Sequence, residues 1–199
     1  MGILFLPGAA AAPAHVEAST TPASIALAND EPSPAKVVAA PAAATRSYQV
    51  KLTAYNAVPE QTDGDPSVTA SGALSNYEVI AARSLDLARE LPFGTVIKIT
   101  RTAKDTPGCN FHKVEPQIGY RVIADTMNAR WTKRIDVELD ATNKVKVEGR
   151  SINPGLALGV CNTVTVEVVG RVALSQIPDT QAELALMVTP SAKELALNK

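Results

Sequence analysis

Two aspartates, Asp125 and Asp136, stand eleven residues apart, each bordering an apolar, β-branched run (YRVIAD and IDVEL). Between them lie Asn128, Arg130, Trp131, Lys133 and Arg134. Two strands that each deliver a carboxylate, joined by a basic and aromatic loop, suit a cleft that handles a sugar. Ile135 and Val137 flank Asp136 and place it inside a strand. An apolar frame disfavours the anion, so the pKa of Asp136 should rise, and the residue could then hold a proton near neutral pH. A general acid acting on a glycosidic oxygen needs that property. The plain alternative, with equal claim on spacing, is an ion pair with Arg134 or Arg121.

Asp125 ends its run where the sequence turns polar, so it either orients Asp136 or a sugar hydroxyl, or closes an Asx-type turn. Trp131, the single tryptophan, offers a ring face to a pyranose or serves as a lid over one end of the fold. Arg130, Lys133 and Arg134 suit acidic groups on a glycan or peptide, although clustered surface charge is ordinarily only solvated. His112 has no partner in the sequence. There is no G-x-S-x-G, phosphate-binding loop or H-E-x-x-H pattern, so any chemistry rests on carboxylates.

The elements that must position these residues are short strands. Val50, Leu52 and Ala54 alternate with polar neighbours from Tyr48 onward, and EVIAA (78–82), VIKIT (96–100), 120–124, 134–139 and TVTVEVV (163–169) follow. A brief run, VTASG, ends on Gly72. Ser84 is placed to cap one helical turn that Pro92 stops. The polar segment 101–117 reads as an excursion loop, and NPGLALG (153–159) as a turn into a very short helix. Six or so strands with almost no helix point to a small barrel or sandwich. After Arg171 the alternation is lost, and the helix-prone residues 171–199 are expected to form a peripheral tail.

The chain has 199 residues, enough for one domain with flexible extensions. A net charge of −1 gives no electrostatic footprint for nucleic acid. Cys109 and Cys161 are too few and too distant for a zinc site, and no metal or cofactor is expected. In an exported protein they would most simply form one disulfide; two unpaired thiols are the alternative. Residues 2–12 read as the apolar core and cleavage region of a signal peptide without its basic start, which would lie upstream, or as a plain tail. They are too short to span a bilayer. The Ala/Pro/Ser/Thr-rich stretch to residue 47 is expected to be a disordered linker.

Several motifs occur in the order found in the bacterial 3D domain. They are Thr53-Ala54-Tyr55, Thr69-Ala70-Ser71-Gly72, Val79-Ile80-Ala81-Ala82, Leu91-Pro92-Phe93-Gly94-Thr95, Ala124-Asp125-Thr126 and Arg134-Ile135-Asp136-Val137. Residues 48–170 thus resemble that domain, which is similar to the barrel of membrane-bound lytic transglycosylase A and the stationary-phase muralytic enzymes. More distant likenesses are rare lipoprotein A and the expansins. The resemblance implies a mostly β fold, a six-stranded double-psi β-barrel with short helices, acting on peptidoglycan glycan strands; from its N-terminal segment the chain is expected to be exported, and it is expected to be a monomer.

By the same resemblance, Asp136 matches the catalytic acid/base, Asp125 its assisting aspartate, and Thr69 and Gly72 the groove wall with Tyr55 beside it. Asn128, Arg130 and Trp131 are the loop's candidates for substrate contact. Asp86, six residues before Pro92, is the candidate for the third aspartate of the family. The chain departs from the family where Met127-Asn128 replaces a glycine pair, and in the added loop 101–119, which Cys109 could pin to Cys161. A wall-binding module without turnover, or a hydrolase of another polysaccharide, are the alternative functions.

Overall fold

The computed structural model describes residues 46–62 and 65–189, together with the strand Val38–Ala39. The signal-like segment and most of the linker lie outside the described residues. In chain order the strands are β1 (Val38–Ala39), β2 (Ser47–Tyr55), β3 (Ile80–Arg83), β4 (Thr95–Thr100), β5 (Tyr120–Thr126), β6 (Arg134–Glu138), β7 (Val145–Val147), β8 (Arg150–Ile152) and β9 (Cys161–Arg171). The helices are α1 (Phe111–Ile118), α2 (Pro154–Leu158) and α3 (Gln181–Val188).

Six strands close a ring in the order β2-β6-β3-β5-β4-β9 and back to β2. The pairs β2–β6 and β3–β5 are parallel and the others antiparallel. This is the closed, mixed-direction barrel expected of the double-psi fold. Closure removes the unpaired edges that an open sheet would expose. The long strand β9 makes it possible by pairing with β2 along one side and β4 along the other. β1, expected within the linker, instead extends this edge by pairing with Gly170 and Arg171.

Side chains alternate as a pleated strand requires. Ile97 and Ile123 enter one apolar cluster with Leu52, Ile135, Val137 and Val166. Their strand neighbours Val96, Val122 and Ala124 enter a second cluster with Val79, Ile80 and Leu184.

Two local readings are corrected. The expected excursion loop contains α1, whose Phe111, Val114 and Ile118 share one buried face; Pro116 and the polar neighbours masked that spacing. The brief run VTASG makes an isolated bridge from Val68 to Leu74. Ser84 stands at the N-cap of a 3-10 turn (Leu85–Leu87) as expected, but its side chain makes no cap bond and its Oγ accepts the Arg134 amide at 3.1 Å instead. A further hairpin, β7–β8, carried no recognised signal.

Residues 172–189 lie outside the ring yet pack against it. Leu184 is fully buried in the second cluster. Thr180 and Glu183 form a capping box at the start of α3. The Gln181 side chain accepts the Tyr120 amide at 3.0 Å and donates to the carbonyls of Tyr120, Ile118 and Glu78.

Cys109 and Cys161 are joined in a disulfide. It ties the turn before α1 to the start of β9, where the backbones already crowd. Gly159 has φ +67°, and a Cβ there would lie 2.3 Å from the Gly108 carbonyl oxygen. Bridging residues 52 apart removes chain entropy from the unfolded state worth about 4 kcal/mol. Reduction should therefore lower the urea midpoint substantially. Two thiols that alkylate without reductant in the native protein would contradict the bridge.

Candidate active site

Strand register assembles the site. β2 and β6 run parallel with Thr53 beside Asp136 and Tyr55 beside Glu138. On the other side of β6, Ala82 of β3 is opposite Asp136, and Ala82 also pairs with Asp125 of β5. Asp125, Ala82, Asp136 and Thr53 thus form one row across four strands. At about 5 Å per strand step, the two aspartate backbones stand roughly 10 Å apart with only a methyl group between them. Ile135, Val137 and Leu139 point to the apolar cluster, so Asp136 and Glu138 share the opposite face.

A cleft of about 600 Å³ opens over this row. Tyr55, Thr69, Asp125, Asn128, Arg130, Trp131 and Asp136, all singled out in the sequence, line it. Glu60, Gln61, Asp65 and Ser75 line it as well, making the wall rich in carboxylates, with Arg130 the one cation among the described lining residues. Gly72 is not among the lining residues. With φ +83° it closes a turn in which the Thr69 and Ala73 main chains bond, and it borders a neighbouring groove.

The two aspartates meet opposite environments. Asp125 Oδ1 accepts the amides of Ala70 at 2.9 Å and Thr126 at 2.8 Å, while Oδ2 accepts the Tyr55 hydroxyl at 3.1 Å. Both its oxygens are occupied and its orientation is set. Asp136 Oδ1 is shielded from solvent and has no hydrogen-bond partner, and the buried Thr53 Oγ1 beside it has none either. Burial pushes the Asp136 carboxyl up to about 6; the Thr53 hydroxyl and the Arg134 charge oppose the shift weakly, and Asp125 adds to it. Thr53 acts here by proximity, since the pair falls short of hydrogen-bond geometry.

The ion-pair alternative does not form. Among the described residues the one Arg or Lys within 4.0 Å of a carboxylate is Arg89, beside Glu90, and the other close contact joins the His112 ring to Asp105; neither involves Asp136. Arg134 instead stacks its guanidinium 4.1 Å from the Trp131 ring centroid, with Arg130 at 5.0 Å. Arg121 is fully buried and donates to the carbonyls of Ile118, Tyr77, Ile80, Glu138 and Gln117. Burial draws its pKa down to about 10, which leaves it charged at neutral pH.

Trp131 packs against Tyr55, Ala82 and Met127 as a side wall of the cleft. Its ring already carries Arg134, so a stacked sugar would compete with a guanidinium. Met127 and Asn128 replace the expected glycine pair without adopting positive φ. Met127 is buried and donates its amide to the Arg83 carbonyl, and Asn128 closes an Asx turn on the Arg130 amide. The left-handed residue of this loop is Lys133, at φ +46°. Asp86 holds it there, accepting the Lys133 amide at 3.0 and 3.2 Å. The candidate third aspartate therefore anchors the loop from below and does not enter the cleft.

Glu138 escaped the sequence reading. It is 3 % exposed, accepts Ser75 Oγ at 2.8 Å, and lies 3.4 Å from the Tyr55 hydroxyl. Its position two residues after Asp136, hence on the same strand face, was the available signal. Among the described residues no group of three or more His, Cys, Asp and Glu is arranged to hold a metal ion.

The Asp136 shift makes a stability prediction. The folded protein keeps that proton up to about pH 6, the unfolded chain only up to 3.8. Between those values the native state binds more protons, so stability falls as pH rises, and above pH 6 the whole penalty applies. Partial exposure to the cleft reduces it to about 1–3 kcal/mol. Asp136→Asn should therefore unfold at higher urea than wild type at pH 7.5 and lose that advantage near pH 3.5. An equal difference at both pH values would contradict a buried, proton-retaining carboxyl.

Neither a protein-family model nor a curated protein matches this chain, so the activity is argued from its own residues.

Proposed function

We propose that the protein is an exported lytic transglycosylase that cleaves peptidoglycan glycan strands between N-acetylmuramic acid and N-acetylglucosamine. One observation carries the reading: Asp136 lines the cleft with one oxygen buried and unpartnered and its pKa pushed up to about 6. Such a carboxyl holds its proton until a leaving oxygen takes it, and the anion left behind can accept another.

The reaction uses that residue twice. Asp136 first protonates the glycosidic oxygen as the bond from C1 of the muramic acid breaks. The carboxylate then takes the proton of the C6 hydroxyl, whose oxygen closes on C1 as a 1,6-anhydro ring. No second nucleophilic carboxylate is needed, and Asp125 is poorly suited to be one because donors occupy both its oxygens. Held in the same row, it can instead stabilise positive charge developing at C1 or fix a sugar hydroxyl. The ordered motifs shared with the 3D domain support the same assignment, and the disulfide agrees with an oxidising compartment. Among the described residues no helix is long and apolar enough to cross a membrane.

Purified sacculi incubated with the protein should release anhydro-muropeptides, and Asp136→Asn should reduce release at least about a thousandfold. Because the acid form starts the cycle, kcat/KM should fall about tenfold per pH unit above pH 6. Reducing-end products without the anhydro ring would instead indicate a hydrolase. Sedimentation with sacculi but no products would leave a wall-binding module.

A further inference from the structure

Behind the cleft, Tyr55 Oη lies 3.1 Å from Asp125 Oδ2 and 3.4 Å from Glu138 Oε2. A phenol has one hydrogen and cannot donate to two carboxylate oxygens at once. The shorter contact takes it, so the Glu138 contact either sets two buried acceptors against each other or carries a hydrogen of its own. We propose that Glu138 is a positioning residue that stays a neutral carboxylic acid at neutral pH, donating from Oε2 to Tyr55 Oη so that Tyr55 donates to Asp125.

The groups around Glu138 fit this assignment. Ser75, in the turn before β3, donates to Oε1, leaving Oε2 for the proton. Arg121 of β5 is the obvious counter-ion. Its hydrogens go to main-chain carbonyls, including that of Glu138 itself, and none reaches the carboxyl. Asp125 and Asp136, on β5 and the same strand β6, add negative charge nearby, which a second anion would oppose. Burial, the largest influence, raises the Glu138 pKa against the pull of Ser75, the Asn76 amide, Tyr55 and Arg121. Tyr55 is pushed well above its ordinary value by burial and then by its acidic neighbours, so it keeps its hydrogen and relays no charge.

The consequence concerns Asp125. Its second oxygen is held only by Tyr55, and Tyr55 is aimed only while Glu138 supplies the other hydrogen. The row that places Asp125 across Ala82 from Asp136 thus depends on a residue that does not touch the cleft contents. Its importance for turnover rests on the proposed function; its protonation state does not.

The test is a carbon-13 carboxyl NMR titration of the full chain, with Glu138 assigned through bonds in the unsubstituted protein. Glu138 should keep the shift of a protonated carboxyl at pH 7, where ordinary glutamates, with pKa about 4.3, have long since ionised. Ionisation with a midpoint below pH 7 would overturn the proposal. Two variants read the link to the site. Glu138→Gln keeps a neutral donor of the same shape, whereas Glu138→Met keeps the length and loses the donor. The Asp136 midpoint should stay in place in the first and move by about half a unit or more in the second. Equal movement in both would sink the link, as would no movement in either. The titration reads no cleavage, so an inactive wild type would remove the enzymatic reading and leave this one intact.

Discussion

The pairing of four neighbouring strands decides which side chains can meet over the cleft. Parallel register of β2 with β6, antiparallel register of β6 with β3, and parallel register of β3 with β5 put Thr53, Asp136, Ala82 and Asp125 in one row. A slip of one residue on β6 would turn Asp136 into the apolar cluster and Ile135 or Val137 into the cleft. Hydrophobic burial on one face therefore enforces the placement of the carboxyls on the other. Ala82 matters through its small size: a larger side chain between the aspartates would fill the floor of the cleft.

The same row separates two chemically identical side chains by environment. Asp125 is met by two amides and a phenol, and so is held still. Asp136 is offered almost nothing, and burial without compensation raises its pKa to about 6. Such an arrangement costs stability and is tolerated where a poised proton is useful. Arg121, fully buried on β5, is by contrast hydrogen-bonded through all three guanidinium nitrogens. Arg121 spends its donors on the carbonyls at the end of α1, ahead of and within β3, and on β6, stitching three elements around the back of the site. Cations near the last carbonyls of a helix are favourable in their own right.

Loops without regular structure are fixed by a few polar contacts. Asp86 holds the left-handed Lys133, Ser84 holds Arg134, and Met127 plugs the gap among Tyr55, Ala82 and Trp131. These contacts aim the loop between β5 and β6 at the cleft without the glycine pair that the family resemblance would supply. α3 packs from the other side, its Gln181 bridging both main-chain groups of Tyr120 at the start of β5. The strand that carries Asp125 is thereby clamped at both ends.

Much of this was legible in the residues. Short apolar, β-branched runs marked five of the six ring strands to within two residues and the core of β9, with period-2 alternation plain in β2 and β4, and the apolar flanks of Asp136 marked it as a carboxyl in a strand with a raised pKa. Other features were not legible because they depend on partners far away in the chain. Nothing local distinguishes Asp86 as a loop anchor from Asp86 as a cleft residue; only the approach of Lys133 decides it. Arg121 and Arg134 each look like natural counter-ions for Asp136, yet one is claimed by carbonyls and the other by the Trp131 ring. Glu138 was readable by strand period alone, but its meaning required Tyr55 to arrive from β2. Sequence by itself determined the strands, their buried faces and Asp136 as a carboxyl set in an apolar frame, because those follow from short-range spacing and polarity. Only the tertiary structure decided which groups surround each charge, because hydrogen bonds and desolvation are set by neighbours that ring closure brings together.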